Sequence, residues 1–136
     1  MPFMVWCDKL SVGVEALDAD HKNMIAIINE LYEGILAGRN KEIVGDIIER
    51  LVDYTRSHFA REEGLLAECG YPETAAHKKE HDEMAVWAER VEVEFFQGTL
   101  AAPSLEVMNR LKDWLFDHIG NSDQRYTRYM KDAGIE

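Results

Sequence analysis

The five histidines of the chain are spaced in a way that could bind metal ions. Seven candidate ligands follow one another along the sequence: His21, then His58 and Glu62, then His77 and His81, then His118 and Asp123. Positions i and i+4 lie on the same face of an α-helix, so the second and third sets would each present two ligands together. Imidazole and carboxylate groups are common ligands of transition metals. Two such pairs with three further ligands indicate two metal ions rather than one.

Length and charge limit the classes of protein to which the chain can belong. With 136 residues it is long enough for one domain with its own core. It carries 15 Lys and Arg against 26 Asp and Glu, a formal net charge of −11, which disfavours binding to nucleic acid or to anionic membranes. The first residues do not resemble a secretion signal, and no apolar run is long enough to span a bilayer. Two cysteines, Cys7 and Cys69, are too few for a disulfide framework, and free thiols are usual in a reducing compartment. Together these features lead us to expect a soluble cytoplasmic protein without membrane insertion.

Turn signals divide the chain into an N-terminal arm and four helical segments. Apolar residues recur at three- and four-residue steps, which is typical of helices that pack on one face. Gly38, Gly70 and Gly98 can end the first three helices. Pro72 suits the first turn of the third helix, and Ser104 can cap the fourth.

The expected elements are an extended arm over 1–17 and helices over about 18–37, 41–69, 72–97 and 104–131. Four long helices joined by short loops predict an all-α fold, an up-down-up-down antiparallel four-helix bundle. No linker interrupts the pattern, so the sequence predicts a single domain over 1–136.

The candidate ligands lie on the apolar faces of these helices. In the second helix, His58 and Glu62 continue the apolar stripe that includes Leu51 and Leu66. The other three segments likewise direct at least one candidate ligand inward. Burying such groups without partners would cost about 1–3 kcal/mol for each. Metal coordination would satisfy them together, so the pattern predicts a buried metal site.

Each part of the pattern also has an ordinary explanation when it is taken alone. His21 follows acidic residues that could cap a helix, and His58 with Glu62 could form a surface pair. The histidines of the third helix stand in a charged run that could face solvent. Four acidic residues near the ligands are expected to be solvated, with contact to an imidazole N–H as the alternative: Glu63, Glu80, Asp82 and Glu83. The combination favours metal, because the ligands share inward stripes and every histidine is used.

The spacing between His118 and Asp123 does not match a regular helix. Five residues rotate two side chains about 140° apart on an α-helix. Both groups can serve one site only with bridging geometry or a local irregularity of the helix. Gly120 and Asn121 lie between them and suggest a π-type bulge.

Taken together, these features resemble the bacterial hemerythrins, a family of non-heme di-iron oxygen-binding four-helix bundles. The resemblance covers nearly the whole chain and follows the ligand pattern H…HxxxE…HxxxH…HxxxxD. It extends to Trp6 and the run 11–14 in the arm, to the runs 18–22 and 58–63, and to Tyr71 with Pro72. Every ligand position of that pattern is present in this sequence.

The resemblance implies how the ligands would be shared between two iron ions. One iron would be held by His77, His81 and His118, and the other by His21 and His58. Glu62 and Asp123 would bridge the two ions, together with an oxo or hydroxo group. The second iron would then keep an open coordination position for dioxygen.

The fourth segment would supply an oxygen pocket. By the same resemblance, the pocket-lining positions are Trp114, Leu115, Ile119 and Tyr126. Leu115 and Ile119 would keep water and reductants away, which slows autoxidation. Trp114 and Tyr126 are equally well explained as core aromatics, although the Tyr126 hydroxyl could hydrogen-bond a group beside the ligands.

The predicted function is reversible dioxygen binding for transport, storage or delivery to an oxygen-using enzyme, rather than catalysis. Ferritin-like di-iron enzymes use Glu-x-x-His motifs and carboxylate-rich sites, whereas this sequence has no such motif and its ligands are mostly histidine. The alternatives are a di-iron enzyme acting on peroxide, nitric oxide or iron, an oxygen or iron sensor, and a metal-free bundle. We expect a monomer.

Overall fold

Four helical segments run alternately in opposite directions around the core. The computed structural model describes residues 2–98 and 103–136. Its helices are α1 (Glu15–Leu36), α2 (Lys41–Glu68), α3 (Thr74–Phe96), α4 (Leu105–Asp117) and α5 (Thr127–Asp132). α4 and α5 form the fourth segment, which is interrupted by a π-helical turn at His118–Ser122 and a 3-10 turn at Gln124–Tyr126. The predicted all-α four-helix bundle with an N-terminal arm is confirmed.

Several helix ends form where the sequence signals them. The side chain of Asn40 caps α2 by accepting a hydrogen bond from the Ile43 N–H at 2.9 Å. Ser104 caps α4 in the same way, accepting from the Val107 N–H at 3.2 Å. Gly38 ends α1 with a φ of 66°, a backbone conformation that glycine adopts without steric cost.

α1 begins at Glu15, three residues earlier than predicted. Asp18 lies inside the first turn of the helix and is not its N-cap residue, which is Val14. The Asp18 carboxylate accepts hydrogen bonds from the Ser11 hydroxyl at 2.5 Å and from the Val12 N–H at 2.8 Å. These bonds tie the arm to the first turn of the helix, so the arm ends before residue 17.

α3 begins later than predicted, at Thr74 rather than at Pro72. The Tyr71 carbonyl accepts hydrogen bonds from the Thr74 hydroxyl at 2.6 Å and from the Thr74 N–H at 3.3 Å. This turn holds Pro72 in the connection between α2 and α3.

The N-terminal arm is fastened to the side of α1. The Met4 N–H donates to the Asn29 side-chain oxygen at 2.7 Å, and the Asn29 amide donates back to the Met4 carbonyl at 2.9 Å. Phe3 stacks on Tyr32 with ring centroids 4.2 Å apart. No helix within the described ranges is long and apolar enough to cross a membrane.

Two apolar clusters pack on either side of a polar layer, which consists of the five histidines with Glu62 and Asp123. The larger cluster includes Met24, Ile28, Ile48, Phe95 and Met108. The smaller includes Leu17, Leu66, Tyr71, Tyr126 and Met130. Aromatic rings from both sides contact the layer, since Trp114 stacks on His118 at 4.5 Å and the Tyr126 ring lies 5.6 Å from that of His77. The fold therefore isolates the candidate ligands from solvent.

Candidate metal centre

The seven predicted ligands come together in the polar layer and are almost completely buried. None of these seven is more than 4% exposed. α1 supplies His21, α2 supplies His58 and Glu62, α3 supplies His77 and His81, and the π-helical turn carries His118 with Asp123 directly after it. The apolar period of each helix thus turns its ligands toward one point.

The ligands form two groups, in each of which one ligand atom per residue lies within 4.8 Å of the others. The three-histidine group consists of Glu62, His77, His81, His118 and Asp123. The two-histidine group consists of His21, His58 and Glu62. Both groups contain Glu62, so the two possible metal positions are adjacent.

Glu62 directs one carboxylate oxygen to each group. Its Oε1 atom lies 2.6 Å from the Nε2 atom of His77 and 3.0 Å from that of His81. Its Oε2 atom lies 3.2 Å from the Nε2 atom of His58. One carboxylate therefore contacts imidazoles of both groups.

Asp123 is placed in the same way on the other side. Its Oδ1 atom lies 3.1 Å from His77 Nε2 and 3.0 Å from His118 Nε2, both in the three-histidine group. Its Oδ2 atom lies 3.2 Å from His21 Nε2 in the two-histidine group. Glu62 and Asp123 thus both span the two groups.

The π-helical turn brings Asp123 onto the same side as His118. The Asp123 N–H donates to the His118 carbonyl at 2.9 Å, a hydrogen bond that spans five residues instead of four. The wider turn removes the rotation that a regular helix would impose on this pair. The predicted irregularity around Gly120 and Asn121 is confirmed.

Two of the histidines are oriented by carboxylates behind them. His58 Nδ1 lies 3.0 Å from an Asp20 oxygen, and His81 Nδ1 lies 2.8 Å from a Glu63 oxygen. An ionised carboxylate only accepts hydrogen bonds, so each Nδ1 carries a proton. The Nε2 atom of each ring then faces the other ligands at the centre of the layer.

The polar atoms of the layer do not form a complete set of hydrogen bonds with one another, but they are suitably placed to coordinate cations. The Nε2 atoms of His58 and His21 lie 3.1 Å apart, as do those of His81 and His118. Within the part of the chain that the structure describes, both Asp123 oxygens lack a partner with hydrogen-bond geometry. Buried acceptors without donors are costly. Converging imidazole nitrogens and carboxylate oxygens are the donor set of a transition-metal site, so this cluster is able to bind metal.

The carboxylates also raise the proton affinity of the imidazoles around them. Burial alone would lower the pKa of His118, but the adjacent Asp123 and Glu62 outweigh burial and raise it to about 10. The same balance raises the pKa of His21 and that of His77 to about 9. Burial favours the neutral form of Glu62, yet the surrounding histidines hold its pKa well below the usual value. The layer therefore attracts positive charge, whether protons or metal cations.

Tyr126, which belongs to the smaller apolar cluster, forms a hydrogen bond with the Glu62 carboxylate. Its hydroxyl donates to Glu62 Oε2 at 3.0 Å. Burial and the nearby charges of Asp123 and Glu62 raise the pKa of Tyr126 well above its ordinary value, so the hydroxyl keeps its proton. The sequence suggested that this hydroxyl could bond a group beside the ligands, whereas its partner is Glu62, one of the predicted ligands themselves.

An apolar cavity of about 60 Å³ lies next to the layer on the side of the larger cluster. Trp114 and Leu115, two of the four predicted pocket residues, line it together with Met24, Phe59 and Met84. The other two predicted residues are placed differently. Ile119 is buried in the larger cluster outside the lining of this cavity, and Tyr126 belongs to the smaller cluster.

Asp20 is a contact of the site that the sequence interpretation missed. The sequence suggested only that it could cap a helix, but it is 4% exposed and faces His58. Glu63, expected to be solvated, takes the alternative role and contacts His81. Each stands beside a ligand in the sequence, and that adjacency is the signal that could have pointed to both.

Comparison with known proteins agrees with this geometry. Residues 12–129 match the hemerythrin HHE cation binding domain. A bacteriohemerythrin of Stenotrophomonas maltophilia is 37% identical over 131 residues, which covers 96% of this chain and 84% of that protein. A bacteriohemerythrin of Methylococcus capsulatus is 31% identical over 127 residues, covering 93% and 95% of the two chains.

A more distant relative and a solved structure show the same likeness. A myohemerythrin of Theromyzon tessulatum is 29% identical over 121 residues, 89% of this chain and 88% of that one. The crystal structure of a wild-type hemerythrin superposes with a TM-score of 0.87 at 28% identity, covering 93% of this chain and 96% of the other. With its fold, its buried histidine and carboxylate cluster and these relatives, the chain belongs to the hemerythrin family.

Proposed function

We propose that the protein binds dioxygen reversibly at a non-heme di-iron centre and serves oxygen transport, storage or delivery to an oxygen-using enzyme. The observation that carries this proposal is the unequal division of five buried imidazoles, three in one group and two in the other, across two shared carboxylates. A site of this kind can hold two metal ions and give them different numbers of protein ligands.

The proposed ligands follow the two groups. His77, His81 and His118 hold one iron, and His21 and His58 hold the other. Glu62 and Asp123 bridge the pair, and the support for this role is that each directs one oxygen to each group. Histidine and carboxylate ligands suit iron that cycles between the ferrous and ferric states.

When bound, the iron pair supplies the two electrons that reversible dioxygen binding requires. The two-histidine group offers fewer nitrogen ligands, so we assign the exogenous ligand to that side. The chain itself contributes ligands, a fixed geometry and a dry environment.

The apolar residues beside the ligands exclude water from the site. Trp114 and Leu115 line the apolar cavity, and Trp114 covers one face of the His118 ring. Phe59 covers a face of the His81 ring, with centroids 3.9 Å apart and planes inclined by 6°. Water and small polar reductants are disfavoured in such surroundings, which supports reversible binding over turnover.

We also propose a cytoplasmic monomer. Both cysteines are free thiols in the structure, Cys7 exposed and Cys69 partly buried, as is usual in a reducing compartment.

An oxygen titration of the reduced protein, with iron quantified per chain, tests the proposal. We expect two irons per chain and absorption bands that appear in air and disappear under vacuum over repeated cycles. Immediate irreversible oxidation with consumption of peroxide would overturn reversible carriage and favour a di-iron enzyme instead. Failure to bind iron at all would overturn the di-iron centre.

A further inference from the structure

Three acidic residues stand beside a proposed ligand in the sequence, and each reaches the histidine of the next helical segment. The pairs are Asp20 with His58 at 3.0 Å, Glu63 with His81 at 2.8 Å and Glu80 with His118 at 3.8 Å, measured from Nδ1 to the nearer carboxylate oxygen. The carboxylates come from α1, α2 and α3, and the histidines from α2, α3 and the π-helical turn. In each pair, a carboxylate of one helical segment therefore lies beside the outer ring nitrogen, Nδ1, of a histidine on the next segment.

Two of these pairs are closed hydrogen bonds, and each belongs to a different group. His58 is in the two-histidine group and His81 in the three-histidine group. A carboxylate at Nδ1 fixes the proton there and leaves the Nε2 lone pair for a metal, and it also makes the imidazole a stronger donor. Each possible metal position thus has one histidine whose orientation and tautomer are set in advance.

Asp20 is itself held in place by several groups. The Tyr54 hydroxyl donates to Asp20 Oδ1 at 2.7 Å, and the Asn23 amide donates to the Tyr54 oxygen at 2.9 Å. Arg61 approaches the same Asp20 oxygen to 3.5 Å. A carboxylate that is 4% exposed and has these partners cannot turn away from His58 without leaving them unpaired.

The third pair is open and offers an internal comparison. The Ser122 hydroxyl donates to Glu80 Oε1 at 2.8 Å and holds that oxygen 3.8 Å from His118 Nδ1. Among the described residues, His118 Nδ1 has no hydrogen-bond partner. A distance of 3.8 Å is too long for a hydrogen bond, and the Glu80 side chain is 43% exposed.

We propose that Asp20 and Glu63 are positioning residues, one for each metal position, which hold His58 and His81 with Nε2 directed at the metal. Glu80 contributes much less, because its contact with His118 is open. This inference rests on the proposed two-metal site but not on dioxygen binding or on the identity of the metal.

Metal affinity measured by chelator competition tests the proposal, with zinc as the probe. We expect Asp20→Ala and Glu63→Ala each to weaken one of two zinc sites by about 10- to 100-fold. Glu80→Ala should change neither site by more than about threefold, since it removes no hydrogen bond to an imidazole. Glu83→Ala, an exposed carboxylate near His81, is the matched control for lost charge. If Asp20→Ala and Glu63→Ala bind zinc as tightly as Glu83→Ala does, the proposal is wrong.

Conservative variants distinguish the orientation of the histidine ring from the negative charge of the carboxylate. They also keep the size of the side chain, so they are less apt to unfold the protein than the alanine variants. In Asp20→Asn and Glu63→Gln the amide oxygen can still accept from Nδ1, so these variants should recover most of the affinity that alanine loses. The ring N–H protons of the cobalt(II)-substituted protein give a direct readout. The His58 N–H signal should survive in Asp20→Asn and be lost to solvent exchange in Asp20→Ala. Signals that persist equally in both variants would contradict the positioning role.

The two proposals fail in different experiments. A protein that binds two metals but does not take up oxygen reversibly would overturn the proposed function and leave the affinity differences intact. Equal affinities of all variants would overturn the positioning roles and leave the oxygen titration unaffected.

Discussion

The three-histidine group and the two-histidine group share their carboxylates, but their histidines are brought together in different ways. His77 and His81 lie one turn apart on α3, so the spacing within one helix already places them side by side. His21 and His58 come from α1 and α2, and they meet only because the two helices pack against each other. Two of the three histidines in one group are thus neighbours on a single helix, whereas both histidines of the other group depend on tertiary packing, so a substitution should affect the groups unequally.

Removing the carboxylate common to both groups should have the largest effect. Glu62→Ala deletes both Oε1, which faces the three-histidine group, and Oε2, which faces the two-histidine group. We expect bound iron to fall from two per chain to less than one. Iron determination on purified protein checks this, with Glu68→Ala, an exposed site on the same helix, as the control. Two irons in Glu62→Ala would show that the groups do not depend on this bridge.

Single histidine substitutions should separate the two groups. His58→Ala leaves one imidazole in the two-histidine group, whereas His81→Ala leaves two in the other. We expect about one iron per chain in His58→Ala and a value between one and two in His81→Ala. Each variant also loses an imidazole that a carboxylate supports, so that loss is matched between them. A larger loss of iron in His81→Ala would reverse the comparison.

The same division explains how much of the site could be read from the sequence. The pairs His58 with Glu62 and His77 with His81 are local, because i and i+4 meet on any α-helix. The irregular spacing before Asp123 was also visible, since a regular helix cannot align it with His118. Helix periodicity and turn signals likewise sufficed for the bundle.

Contacts between helices were not available from spacing. His58 and Asp20 are 38 residues apart, and Tyr126 and Glu62 are 64 apart. Such pairs depend on how the helices cross and on the depth at which each side chain lies. Ile119, only one residue from His118, lies outside the lining of the apolar cavity, and its place in an oxygen pocket stays a prediction.

The pH dependence of the metal-free protein should also differ between the groups. The three-histidine group contains two imidazoles with a raised pKa, His118 at about 10 and His77 at about 9, and the two-histidine group contains one, His21 at about 9. Because these values lie above the ordinary 6.5, the stability they contribute is complete below pH 6.5 and is lost as pH rises through 9 to 10. We expect the free energy of unfolding to fall by on the order of a few kcal/mol over that window.

Urea unfolding of the metal-free protein at several pH values measures this loss. The metal-loaded protein is the control, since metal ions replace the protons and the decline should disappear. The decline should become smaller in His118→Ala than in His21→Ala, because His118 has the highest pKa. A profile that stays flat up to pH 10 in the metal-free protein would contradict the charge balance described for the polar layer.

The smallest effect is expected at the hydrogen bond between Tyr126 and Glu62. Tyr126→Phe keeps the ring packed near Tyr71 and His77 but removes the donor to Oε2, the oxygen that faces the two-histidine group. A hydrogen bond to a charged group contributes about 1.5–3 kcal/mol, so the free energy of unfolding should fall by about that amount. Because Oε1 keeps its contacts with the other group, zinc affinity should weaken less than tenfold and only at the two-histidine site. Tyr129→Phe is the control, because the partly exposed Tyr129 ring also packs on Tyr71. Equal weakening of both sites would mean that Tyr126 positions the whole carboxylate rather than the one oxygen it contacts.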